Sequence, residues 1–161
     1  MDLTHLANLA EIFGVAVIVI SLIYVAKQLR QTNLMMKNAA ASERLERDYD
    51  LVVPIIENRD VAELWVKGDQ GFADLDHVDQ QRLIFFERRA VMLWHHLYQM
   101  QKQGLFSDAN WQETIWVIRI IGRRQAVRET WRLFDRNFET AFRDFIEEQF
   151  AIADAEAGES Q

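Results

Sequence analysis

Leu3–Ala26 reads LTHLANLAEIFGVAVIVISLIYVA. Its only polar side chains beyond Leu6 are Asn8, Glu11, Ser21 and Tyr24. A bilayer core of about 30 Å needs roughly 20 mostly apolar residues in a helix. Leu6–Ala26 supplies that length. Apolar residues occur all round this helix, so it has no polar face to offer water. A fully buried core helix would share that feature, but the charges beside it decide the reading. A single transmembrane anchor is predicted over residues 1–26.

All 18 Lys and Arg follow Ala26, and the first after it are Lys27, Arg30, Lys37 and Arg44. Basic residues flanking a membrane helix stay on the cytoplasmic side. The expected topology is N-terminus outside and C-terminal domain in the cytoplasm. A cleaved signal peptide would need a basic segment before its apolar run, and Met1–His5 has no Lys or Arg. The anchor is therefore expected to be retained.

Within the span, Ala7, Gly14 and Ser21 recur every seventh residue, continuing to Gln28. Glu11, Ile18 and Val25 stand four residues further on in each repeat. Small residues at this spacing let two helices approach closely. Ala7, Glu11, Gly14, Ile18, Ser21 and Val25 are thus the candidate oligomer interface, and a homo-oligomer is expected. A carboxylate in hydrocarbon is costly and faces a partner, a pore or water. Two placements of Glu11 fit that rule: at the membrane interface, or at the axis of an oligomer.

The charge of −7 over 161 residues includes Asp2 and Glu11, the only charged side chains before Lys27, so residues 27–161 carry −5. A general nucleic-acid binder wants a basic surface, so no nucleic-acid partner is expected. The chain has no cysteine, one proline and six glycines. Disulfide and thiol chemistry are excluded, and a β-sandwich is disfavoured. The expected class is all-α: one transmembrane helix continuing into a cytoplasmic helical bundle.

Residues 27–53 hold no Gly or Pro, so the first helix should continue through a juxtamembrane segment, 27–58. Leu45, Tyr49, Val52 and Ile56 mark an apolar stripe at helical spacing. Pro54 should kink the helix or start a new one. A cytoplasmic helical domain is expected over 59–153. Its helices should be Val61–Lys67; His77–Gln103, capped by Asp76; Ala109–Ile121, capped by Asp108; Arg124–Phe134; and a final helix capped by Asp135. Leu83, Phe86, Ala90, Leu93, Leu97 and Met100 should line the core face of the longest of these. Trp111, Ile115, Val117 or Ile118, and Ile121 should do so in the next. Phe138, Phe142, Phe145 or Ile146, and Phe150 should do so in the last. Residues 154–161 read as a disordered acidic tail.

Glu11–Gly14, followed by Ile20-Ser21-Leu22-Ile23-Tyr24-Val25-Ala26-Lys27-Gln28-Leu29-Arg30-Gln31-Thr32-Asn33, resembles the anchor of a bacterial family of small, functionally uncharacterised membrane-anchored helical proteins. Asp60–Trp65, Gly104–Leu105, and Trp131 with the Phe-rich end are also similar to that family. The resemblance covers most of the chain. It implies a bacterial inner-membrane location and nothing about catalysis.

His95 and His96 are adjacent, so on a helix they point about 100° apart and cannot share one ion. The Glu-x-x-His pairs of a di-iron bundle are absent, because Met92 and Leu93 stand at the required positions. No Gly-x-Ser-x-Gly or P-loop occurs. No catalytic residue, metal site or cofactor is predicted, and no enzyme activity is expected.

Arginine is concentrated instead. Arg119, Arg123, Arg124, Arg128 and Arg132 occur together without lysine. Arg124, Arg128, Arg132 and Arg136 are spaced to share a helix face. Such a face could grip an anionic lipid or an acidic protein partner, or it could pair with the chain's own carboxylates. The expected function is a membrane-anchored, self-associating interaction or scaffold protein. The alternatives are a small homo-oligomeric pore with Glu11 near its axis, and a sensor binding an anionic ligand or lipid at the arginine face.

Overall fold

The computed structural model describes residues 3–158, with side chains from Glu11 onward. The fold is all-α, and no strand occurs among the described residues. The described residues form six α-helices in order: α1 Leu3–Glu57, α2 Arg59–Lys67, α3 His77–Lys102, α4 Asp108–Ile121, α5 Gln125–Phe134 and α6 Thr140–Gly158. The chain divides into two compact units, Met1–Ala39 and Ala40–Gln161.

In the first unit, α1 is long and apolar enough near the N-terminus to cross a membrane, and none of its most apolar window is buried. Ile12, Phe13, Ile20, Leu22 and Ile23 are exposed.

The second unit is a helical bundle. Residues 40–57 of α1 belong to it, whereas the sequence boundary falls at residue 58. Its largest core packs Ala90, Val91 and Trp94 of α3 against Ile118, Val127, Trp131, Phe142, Ile146 and Phe150. A second core joins Ala40 of α1 to Leu93, Leu97, Met100 and Phe106. A third holds Leu64, Leu83 and Ala126. The α3 positions expected inside are buried, except Phe86, which is half-buried. Of the alternatives in α4 and α6, Ile118 and Ile146 take the deepest places, with no exposed surface.

Local chemistry sets the helix ends. The Asn58 side chain accepts from the backbone N–H groups of Asp60 and Val61, starting α2. Asp76 accepts from Asp79 N–H at 2.9 Å and caps α3 as expected. Gly104 takes φ +70 just beyond α3, where a left-handed residue closes a helix. Ser107, not Asp108, caps α4, since its hydroxyl accepts from Asn110 N–H at 3.3 Å.

Asp135 does not cap the final helix. Asp135–Asn137 forms a 3-10 turn, and α6 begins at Thr140. Phe138 is extended between the two, which lets its ring stack on Trp131 at 5.6 Å. Residues 154–158 are helical rather than disordered. Ala153 is fully buried, and Asp154 and Glu156 are held by arginines of α4, α5 and the turn between them. Residues 159–161 lie outside the described residues.

Pro54 lies inside α1, which ends three residues later. A proline cannot donate to the carbonyl four residues back, here Asp50. Arg89 Nη2 of α3 donates to that carbonyl at 3.1 Å, so the freed acceptor is satisfied across the bundle.

Gly122 ends α4 with an ordinary helical φ of −65°. Its role is space: an added Cβ would lie 2.5 Å from Phe150 Cε1, 2.6 Å from the Ile118 carbonyl oxygen and 2.7 Å from Phe150 Cδ1. Gly122→Ala should therefore destabilise the bundle by about 1–3 kcal/mol through overpacking. Thermal unfolding followed by circular dichroism checks this, and an unchanged midpoint would show that Phe150 can move aside.

Candidate functional site

Of the predicted membrane seam, Glu11, Gly14, Ile18, Ser21 and Val25 are all exposed along α1. Ala7 lies outside the residues whose side chains are described. An added Cβ at Gly14 meets nothing within 4 Å. Ser21 Oγ donates to Val17 O at 2.8 Å, which satisfies the hydroxyl within its own helix.

The Leu45, Tyr49, Val52 and Ile56 stripe is apolar, as read, and it faces away from the bundle. These side chains are 66%, 68%, 48% and 74% exposed. The inward face of α1 carries Ala40, Arg44 and Leu51 instead. Neighbouring positions on a helix differ by about 100°, so a stripe one residue away from the packed face misses the core. Spacings of four, three and four residues are those of a coiled-coil seam.

The five arginines of the predicted anion face do not form one open face. Arg124, 7% exposed, stands at the N-cap of α5 and points inward. It pairs with the buried Glu87, binds Asp69 at 2.7 Å, donates to Trp65 O, and lies 3.8 Å above the Trp65 ring. Arg128 bonds Asp154 at 2.7 Å, donates to the Gly122 and Phe150 carbonyls, and covers the Phe150 ring at 4.4 Å. Arg119 reaches Gln149 and Glu156, and Arg123 reaches Glu156. Arg132 is exposed on α5. Four of the five thus hold the bundle together through carboxylates distant in sequence. Two nearby carboxylates are engaged elsewhere: Glu113 binds Arg44 at 2.9 Å, and Glu139 binds His95.

The adjacent histidines diverge. His95 Nε2 lies 2.8 Å from Glu139, with the ring edge-on to Phe138 and Phe142. His96 Nε2 lies 3.3 Å from Glu43 of α1. Bonding to Arg47 holds the Glu43 carboxyl below its ordinary range, with His96 adding to it. Burial opposes the same shift at Glu139, but bonds from His95, its own backbone and Gln99 hold it low. Among the described residues, no group of three His, Asp or Glu is placed to hold a metal ion.

Sequence reasoning missed Glu87 and Asp48. Burial raises both carboxyls above their ordinary values, against nearby arginines. Glu87 falls in the helical period of α3 at a core position, and only its charge argued against burial there.

Comparison with protein-family models, curated proteins and solved structures finds no match to this chain.

Proposed function

We propose that the chain is a membrane-anchored protein whose N-terminal helix crosses the bilayer and whose helical bundle self-associates as an interaction or scaffold module. The exposed stripe of Leu45, Tyr49, Val52 and Ile56 carries this reading. Four large apolar residues at coiled-coil spacing, beside a bundle that already has its core, form a face that a second copy can cover. The small residues at every seventh position of the span support close approach within the membrane.

The anchor reading is supported by the apolar window near the N-terminus and by Lys27, Arg30 and Lys37 just after it. By the positive-inside rule, that order supports a cytoplasmic bundle. The resemblance carried by Ile20–Asn33 supports a bacterial inner membrane.

The experiment is native mass spectrometry of the full chain in lipid nanodiscs. The mass should be a whole multiple of the 19.0 kDa chain. A monomer across the concentration range would contradict self-association.

A further inference from the structure

A cavity of about 290 Å³ opens in the Ala40–Gln161 unit between α1, α2, α3 and α4. Its walls are Trp65, Phe86, Trp94 and Val117, and two carboxyls line it: Asp48 from α1 and Glu87 from α3. Small-molecule sites have this composition, an apolar container with a few converging polar groups.

The charges around it are unequal. Arg44 lies between Asp48, at 3.5 Å, and Glu113, at 2.9 Å. Arg124 lies between Glu87 and Asp69. Each guanidinium serves two carboxylates, so both triads keep an excess of negative charge when ionised. Arg44 Nε reaches Asp48 only at 3.5 Å, against 2.9 Å from Arg44 Nη2 to Glu113, so Asp48 is the more loosely paired of the two carboxylates. A cation in the cavity would compensate the buried Glu87 and the partly exposed Asp48, and an anion would be repelled.

We propose that this cavity binds a small lipophilic amine, with its ammonium group on Asp48 and its apolar body among Trp65, Phe86 and Trp94. A cavity of about 150 Å³ accommodates benzene, so this volume takes an aromatic ring with a short aminoalkyl arm. Ring-on-ring contact and the pull of a cation towards aromatic faces act together here. The cavity is lined by a single copy of the bundle, and Val52 on its α1 wall also belongs to the exposed stripe proposed above for assembly.

The test is fluorine NMR titration of the full chain in zwitterionic nanodiscs, with empty nanodiscs subtracted. The probes are para-fluorobenzylamine, para-fluorobenzyl alcohol and para-fluorobenzoate, which share a shape and differ in charge. The amine should bind at least about tenfold more tightly than the alcohol, as a charge-assisted hydrogen bond implies. The benzoate should bind most weakly. Asp48→Asn should reduce the amine to the level of the alcohol and leave the alcohol unchanged. Ile55→Trp, which fills the cavity from the α1 wall, should abolish binding of both. The proposal is overturned if amine and alcohol bind equally, if the benzoate binds best, or if the amine does not bind at millimolar concentration. It is also overturned if either variant leaves amine binding intact.

Discussion

Replacing Arg124 with leucine is expected to cost the bundle about 3–5 kcal/mol, because it leaves the buried Glu87 carboxylate without its partner. That corresponds to a fall in Tm on the order of 10–20 °C. Arg124 also releases Asp69, the Trp65 carbonyl and the face of the Trp65 ring, so α2, α3 and α5 lose a common tie. The loss should depend on pH. Burial raises the Glu87 carboxyl above 4.5, and Arg124 opposes that rise. A raised carboxyl contributes stability that is full below its unfolded value and lost as pH rises through its folded value. Without Arg124 the folded value climbs further, so the variant should be less impaired near pH about 5 than near pH about 8. Adding Glu87→Leu to Arg124→Leu should recover most of the loss, since an apolar pair of similar volume replaces a buried ion pair at little net cost. Thermal unfolding of the two single variants and the double variant, at both pH values, checks the claim. Equal damage from the single and double variants would show that Arg124 acts through other contacts.

The second large effect concerns assembly. Tyr49→Glu combined with Ile56→Glu should convert a multiple of the 19.0 kDa chain into the single chain. Burying a large apolar side chain contributes about 1.5–3 kcal/mol. Two such losses in each of two copies weaken association at least about a thousandfold. Both side chains are exposed in the single copy, so the unfolding free energy of the bundle should stay within about 0.5 kcal/mol of the parent. Gly14→Leu tests the membrane stretch separately, because a leucine there keeps two helices from close approach. A mass unchanged by Tyr49→Glu with Ile56→Glu but lowered by Gly14→Leu would place the contact in the membrane stretch alone. Masses unchanged by both would overturn the exposed stripe and the seven-residue seam as contacts.

Periodicity made most of the bundle legible. Leu83, Ala90, Leu93, Leu97 and Met100 repeat on one face of α3, and all five are buried. Periodicity does not say which of two apolar stripes turns inward. On α1 the longer stripe, from Leu45 to Ile56, is exposed, and Leu51 packs instead. The arginine cluster was visible as composition, but its partners were not. Asp154 lies 26 positions from Arg128, and Glu87 lies 37 positions from Arg124. Only the packing of α6 and α3 against α5 brings them together. The same packing explains the helical Asp154–Gly158, which composition read as disordered. The Asp48 and Glu87 cavity left no motif because its residues come from four separate helices.

On the proposed topology, α1 anchors the chain in a membrane and the bundle lies on the cytoplasmic side. The chain has no cysteine, so single substitutions report topology without background. Thr4→Cys and Ser107→Cys variants, expressed in bacterial cells and treated with a membrane-impermeant maleimide before and after lysis, give the most direct test. Both variants should sediment with membranes through carbonate extraction. Position 4 should label in intact cells, and position 107 only after lysis. Recovery of the chain in the soluble fraction, or labelling of position 107 in intact cells, would contradict that topology.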